Sequence, residues 1–372
     1  MKLLCIFIAF ILAFIVGQII ILRTYLFSFR RRLFDPADSR KLHRGLIPRL
    51  GGMMFLPTQC GVFMLIVVVV RHFGIVDVEY GVLTQFLLLI CGLGLLFVIG
   101  VMDDLMGIRY QWKFIAQVMA ASFLPISGLW VRSLDGLFGI TILSPWVGIP
   151  LTLLGVVVII NAFNLIDGID GLCSGLVILA CTVLGTLFLR QEAWLYVIFS
   201  FITVGTLSPF FYYNVFGKSK KHRRIFMGDT GSMTLGLSVS FLTISYLMGR
   251  PTSIPTGSNN ILVAFSVVIL PVLDVMRVMR VRLLSGKSVF LPDRNHIHHY
   301  VLNMGFGKHV TLSCILLIDL LFVVFNMIWV RYLNINVALI LNVAFWFILL
   351  RVGNRLKRSR LKKNKNENEN EN

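Results

Sequence analysis

Seventeen carboxylates serve 372 residues, and five of them stand in three short motifs at the edges of apolar segments. The motifs are Asp103-Asp104, then Asn161-x-x-Asn164-x-x-Asp167-Gly168-Ile169-Asp170-Gly171, then Gly228-Asp229-Thr230-Gly231-Ser232. A carboxylate near a bilayer is costly unless it pairs, binds a cation or lines a water-filled cavity. Several together point to a metal site or a cation path.

Asp103-Asp104 alone is a weak signal, since a solvated helix end explains it equally well. Adjacent carboxylates repel and ionise together only beside cations, and Arg109 and Lys113 are near in sequence. Asn161, Asn164, Asp167 and Asp170 recur every three residues. On an α-helix that spacing keeps them on one stripe. Two amides and two acids so arranged can hold a metal shell, a ribose or a base edge. Gly168 and Gly171 would let the chain open or a ligand approach the backbone. Asp229 sits in a small-residue loop that leads into a helix N-terminus, which can cap the helix or receive an anion. Asp293-Arg294-Asn295-His296-Ile297-His298-His299 gathers three of the seven histidines. With Arg294 beside them and no cysteine cluster to complete a zinc site, they read as a phosphate-binding and proton-handling loop. Asp274 and Arg277 share a helix face at i, i+3 and should pair. Arg40, Lys41, His43, Arg44, Pro48 and Arg49 form a basic loop that ends on Gly51 and Gly52.

The elements that must position these residues are membrane helices. The chain is 57% apolar and 14% charged, against about 25% charged in ordinary soluble domains. Apolar runs long enough to span about 30 Å of hydrocarbon recur throughout. They are continuous and lack the period-two alternation of a barrel. The expected fold is all-α and polytopic, with eleven spans near residues 3–22, 53–70, 82–101, 112–131, 144–163, 174–189, 194–213, 231–249, 261–281, 312–330 and 334–351. The net charge of +18 does not form a nucleic-acid patch, because the basic residues fall in every second loop. The positive-inside rule then places the N-terminus outside, the C-terminus in the cytoplasm and all four polar motifs on the cytoplasmic face. The first helix reads as retained rather than as a cleaved signal. Residues 1–352 form one catalytic unit, and 353–372, basic and then Asn/Glu-rich, read as a disordered tail. Six scattered cysteines show no metal or redox spacing.

Hard carboxylate and amide oxygens beside cations suit Mg²⁺ with substrate phosphates. The residues alone thus point to Mg²⁺-dependent phosphoryl chemistry joining a soluble charged substrate to a lipid-borne one. A cation or metabolite transporter and a polyprenyl diphosphate phosphatase remain as rivals.

The same motifs, with Pro48-Arg49-Leu50-Gly51-Gly52, resemble the polyprenyl-phosphate N-acetylhexosamine-1-phosphate transferases over about residues 40–310. The loop His296-Ile297-His298-His299 is more similar to the UDP-N-acetylglucosamine branch than to the phospho-MurNAc-pentapeptide branch. The resemblance implies transfer of a sugar-1-phosphate from a UDP-sugar to undecaprenyl phosphate in a bacterial cytoplasmic membrane. It implies Mg²⁺, with Mn²⁺ as an alternative, and is compatible with a homodimer. By motif, Asp229 is implied as a metal ligand with Asp104 and Asn164. Asp103 and Asp104 would face the acceptor phosphate. Asn161, Asn164, Asp167 and Asp170 would hold the nucleotide side, with Phe226 against the uracil. Lys113, Arg44, Arg49, Arg294 and the catalytic histidines His296, His298 and His299 would meet phosphates or protons.

Overall fold

The structure, a computed structural model, describes residues 1–30, 49–217, 224–249, 260–286, 296–329 and 332–370. The apolar runs fold as helices. These are α1 (Lys2–Arg30), α2 (Phe55–His72), α3 (Tyr80–Met106), α4 (Tyr110–Ile126), α5 (Pro145–Ile166), α6 (Leu172–Arg190) and α7 (Trp194–Phe216). There follow α8 (Gly228–Met248), α9 (Asn260–Ser266), α10 (Ile269–Leu284), α11 (Ile297–Leu302), α12 (Lys308–Trp329) and α13 (Ile335–Asn370). A short 3-10 turn, Leu50–Met54, leads into α2. Between α4 and α5 the chain makes a small antiparallel hairpin of β1 (Ser133–Leu137) and β2 (Ile140–Ile142).

Among the described residues, nine helices are long and apolar enough to cross a membrane by length and composition. The protein is an all-helical, multi-pass membrane protein. Two of the eleven expected spans take another form. The segment 112–131 becomes α4, which has 17 residues and ends beside Pro125 and Gly128. The segment 261–281 is divided into α9 and α10 at Val267-Val268. Pro271 explains the break, because in a continuous helix its ring would meet the carbonyl of Val267. α13 carries its helical backbone through 353–370, where the sequence reading expects disorder. Extending a helix already nucleated in a membrane span costs little compared with starting one.

α8 is the central post of the bundle. It touches α3, α5, α6, α2 and α4, as well as the 3-10 turn. Between Thr230 and Tyr246 every residue of α8 is buried. Many of these are Ser, Thr or Gly, whose small size lets neighbouring backbones come close where lipid offers little hydrophobic drive for helix association. Several of their hydroxyls are satisfied within the helix: Thr234 donates to the Thr230 carbonyl at 2.8 Å and Ser240 to the Gly236 carbonyl at 2.7 Å. The chain approaches α8 most closely at Gly52, where an added Cβ would land on the Gly231 backbone, and at Gly100, where it would land on Thr230 Cα. Gly51 and Gly52 also donate their amides to the carbonyls of Phe226 and Met227 at 2.9 and 2.7 Å. The Arg49–Gly52 loop is thereby laced to the segment that starts α8.

These contacts separate two glycines of similar sequence context. Gly52→Ala should lower the thermal midpoint in detergent and the yield of folded protein. Gly61→Ala, whose Cβ would meet nothing within 4 Å, should be neutral or stabilise α2 by roughly 0.5–1 kcal/mol through helix propensity. Parallel melting curves check both.

Candidate active site

The site lies where the C-terminal ends of α3 and α5 meet the N-terminal ends of α4, α6 and α8. Lys113, in the first turn of α4, is its hub. Its Nζ donates to Asp103 Oδ2 at 2.9 Å and to Asp229 Oδ2. Two carboxylates from α3 and α8, far apart in sequence, thus share one ammonium. Asp103 also accepts the Ile108 amide at 2.8 Å through Oδ1, which fixes the turn between α3 and α4.

Asp104 has a different task. Its Oδ1 accepts the Asp229 amide at 2.8 Å, and its Oδ2 accepts the Thr230 amide at 3.0 Å and the Thr230 hydroxyl at 2.6 Å. It therefore caps α8 from another helix, satisfying backbone donors that have no partner within α8 and placing negative charge at the positive end of the helix. Gly228 has a φ of 74°, and a Cβ there would strike the Asp104 carboxylate. With both oxygens engaged in this way, Asp104 is placed as a cap of α8.

The Asn/Asp segment does not form a single stripe. α5 ends at Ile166, so only Asn161 and Asn164 share a helical face. Asn161 points to α4, where its Nδ2 donates to Gln117 Oε1 at 2.7 Å. Asn164 donates to Ser232 Oγ at 2.9 Å and also hydrogen-bonds the Asp229 carboxylate. Asp167 and Asp170 lie in the turn that follows, which closes at Gly171 with φ 80°. Asp170 pairs with Arg224, whose guanidinium lies 6.0 Å from the ring of half-buried Phe226. Lys308 is within electrostatic reach of Asp170 and Arg224. Burial, followed by the nearby charges of Asp229, Asp170 and Asp104, raises the Asp167 carboxyl well above the ordinary carboxylate range.

His298 reaches the same turn from α11. A Cβ on Gly168 would meet its Nε2 and Cε1. Among the described residues, neither ring nitrogen of His298 has a hydrogen-bond partner, and burial, with His299 and His296 adding to it, pushes its pKa down to about 3. It is thus neutral across the physiological range. His299 lies 4.3 Å from His298 between ring centroids, whereas His296 turns toward Asp274. Arg49 is exposed, with its carbonyl beside Gly228. Arg44 and Arg294 lie outside the described residues.

Sequence reasoning missed two contributors. Asn214 accepts the Gly171 amide at 2.5 Å and donates to the Ile225 carbonyl at 2.8 Å, tying the Asp167–Gly171 turn to the strand of chain before α8. Arg224 stood in a basic loop with no hint of its partner. A polar Asn at the end of an apolar helix was the one available signal for Asn214.

Among the described residues, no three His, Cys, Asp or Glu side chains gather as a cage for a metal. Asp103 and Asp229 instead offer hard oxygens against one shared cation, with Asn164 beside them. That donor set fits Mg²⁺, which is commonly held by one or two carboxylates and completed by substrate phosphates.

A multi-pass helical bundle with a cation-bridged carboxylate site at the ends of its helices defines an integral membrane protein with a charged site at one end of the bundle. The chain belongs to glycosyl transferase family 4, whose profile matches residues 86–247. It is 31% identical over 293 residues to the undecaprenyl-phosphate alpha-N-acetylglucosaminyl 1-phosphate transferase of Yersinia pestis, covering 77% of this chain and 75% of that one. The enzyme of the same name from Escherichia coli strain K12 is 32% identical over 293 residues, covering 77% and 74%. A probable undecaprenyl-phosphate N-acetylglucosaminyl 1-phosphate transferase of Bacillus subtilis is 30% identical over 293 residues, covering 77% and 75%.

Two expectations follow from the geometry. Asp104→Asn keeps the size of the side chain but loses acceptors for α8, so it should lower the thermal midpoint and any activity together, with a capping loss of about 0.5–2 kcal/mol. Asp229→Asn should lower activity without a matching loss of stability. Asp167 behaves in the opposite sense. Its folded pKa is raised, so the unfolded chain ionises first as pH rises and the fold loses stability between the ordinary and the raised value. Asp167→Asn should therefore raise the thermal midpoint at about pH 8, with the gain vanishing below about pH 4. Melting curves across pH, compared with wild type, check the sign.

Proposed function

We propose that this protein transfers N-acetylglucosamine 1-phosphate, or a closely related HexNAc 1-phosphate, from a UDP-sugar to undecaprenyl phosphate and releases UMP. The observation that carries this reading is the convergence of Asp103, Lys113 and Asp229 at one end of the bundle, in a chain whose relatives bear that transferase name. The reaction would run at the cytoplasmic face of a bacterial membrane, as the alternation of basic loops supports. It would be the first membrane-bound step of an envelope polysaccharide.

In this reading an oxygen of the lipid phosphate attacks the sugar-bearing β-phosphorus of the donor. A new P–O bond forms, the bond to the bridging oxygen breaks, and UMP leaves with the electron pair. The barrier lies in bringing two anions together and stabilising the spread charge. Lys113 supplies a fixed ammonium where the two phosphates would meet. Asp229 and Asp103 would hold Mg²⁺, with Asn164 orienting Asp229, and when bound the ion would neutralise charge on the diphosphate. Asp104 keeps Asp229 in register by holding the start of α8. Asp170, Arg224 and Phe226 form the nucleotide side, where a ring face and a guanidinium suit a base and its phosphates. His298, neutral and resting on Gly168, offers uncharged ring nitrogens to a donor in that turn. A phosphate monoester is mostly ionised at neutral pH, with a second pKa near about 6, so the acceptor needs no general base to become nucleophilic.

The test uses full-length protein in detergent with undecaprenyl phosphate, Mg²⁺ and a panel of labelled UDP-sugars. UMP release and butanol-extractable label are measured, with Asp229→Ala as control. Transfer from UDP-N-acetylglucosamine should require both Mg²⁺ and Asp229, and added UMP should drive the label back into UDP-sugar, since one diphosphate bond replaces another. Folded protein that transfers from no UDP-sugar, or transfers equally well after Asp229→Ala, would overturn the reading.

A further inference from the structure

Asp274 lies on α10, outside the carboxylate cluster, and only 1% of it is exposed. The expected pairing with Arg277 is present: Arg277 Nη2 and Nε donate to Asp274 Oδ1 at 2.7 and 3.3 Å. The same oxygen accepts the Ile297 amide at 3.0 Å, at the first turn of α11. The other oxygen, Oδ2, lies 3.0 Å from His296 Nδ1. One buried carboxylate therefore holds the histidine segment by both its backbone and its first imidazole.

This geometry has a chemical consequence. The guanidinium of Arg277 donates to Asp274, which acts as an acceptor. A carboxylate facing Nδ1 requires the proton there and leaves Nε2 as the acceptor nitrogen. The His296 ring lies parallel to that of His298, with 7° between planes and 5.8 Å between centroids. His298 in turn rests on Gly168. A chain of contacts thus runs from Asp274 through His296 to His298 and the Asp167–Gly171 turn.

We propose that Asp274 is the positioning residue of the histidine segment: it sets the His296 tautomer with the proton on Nδ1 and seats α11 against the Gly168 turn. Its role in turnover rests on the transferase reading above, whereas the tautomer does not.

Asp274→Asn is the decisive variant. The Ile297 amide and Arg277 hold the Oδ1 position as an acceptor, so the new amide nitrogen falls on the His296 side. An N–H donor facing Nδ1 reverses the tautomer while preserving shape. The expected outcome is a fall in kcat of about 10-fold or more, as second-layer partners of a working histidine produce. The KM for the UDP-sugar should change by less than about threefold, whereas the thermal midpoint should fall because the Arg277 guanidinium loses its buried counter-charge, so kcat is read per folded protein. In a His296→Gln background, Asp274→Asn should cost nothing further, because the two act as one unit. Histidine-labelled ¹⁵N spectra of the full chain in detergent should show an Nδ1–H tautomer that is missing in His296→Gln.

Full activity in Asp274→Asn, or its full loss repeated in the His296→Gln background, would overturn the proposal. If Asp274→Asn does not fold, the wild-type spectrum decides alone: absence of the Nδ1–H tautomer at His296 would overturn it. Wild-type protein that turns over no UDP-sugar would instead sink the transferase reading and leave the tautomer measurement intact.

Discussion

The site depends on how two adjacent carboxylates are given different partners. Asp103 and Asp104 are neighbours at the end of α3, and side by side they would repel. Asp104 turns to the N-terminus of α8, where three donors and the helix dipole receive it. Asp103 turns the other way, to Lys113, which it shares with Asp229. The cap and the ion pair are therefore coupled. Holding the start of α8 with Asp104 also sets the position of Asp229, the first acidic residue of that helix, against the ammonium that Asp103 has fixed.

That arrangement needs α8 to run through the middle of the bundle with other backbones pressed against it. Gly52 and Gly100 are the places where backbone meets backbone, and Gly236 does the same against Ile160 of α5. Any side chain there would push α8 away from the helices that carry Asp103 and Asn164. The hydroxyl-rich composition of α8 looks unsuited to a membrane interior until its donors are followed. Those of Thr234, Ser238 and Ser240 return to carbonyls one turn back, so much of the helix presents small, internally satisfied surface to its neighbours. Packing and catalytic geometry are one problem here, and glycine and serine solve both parts of it.

The transmembrane plan was legible in the sequence because apolar length is a local property. The convergence of the acidic motifs was legible too, because alternating loop charge places distant segments on one face. Local signals failed at three points. The 261–281 run reads as one span by hydropathy, yet Pro271 divides it. Spacing by threes placed Asp167 and Asp170 on a helix that had already ended at Ile166. Spacing could identify Asp274 with Arg277, but not His296, 22 residues further on. Arg224 and Asp170, 54 residues apart, show the same limit. Pairings across the bundle depend on tertiary placement, and a single sequence carries no record of them.

The charges at the site are distributed with a consistent logic. Asp103 and Asp229 share Lys113, Asp170 has Arg224, and Asp274 has Arg277. Asp167 instead is surrounded by other carboxylates, and its proton is held accordingly. A phosphate entering this end of the bundle would meet cations already directed at carboxylates. Exchanging one oxyanion for another around Lys113 or Arg224 leaves neither cation stranded, so the desolvation cost of a lone buried charge is avoided. Because the cations are held by two acids or by an acid and a ring face, they stay aimed while the exchange occurs. In the proposed transfer, such preorganised charge would stabilise a spread anionic transition state without reorganising as the charge develops. The pairing of the acids and the fixing of the cations at this end of the bundle thus follow from the same side-chain contacts.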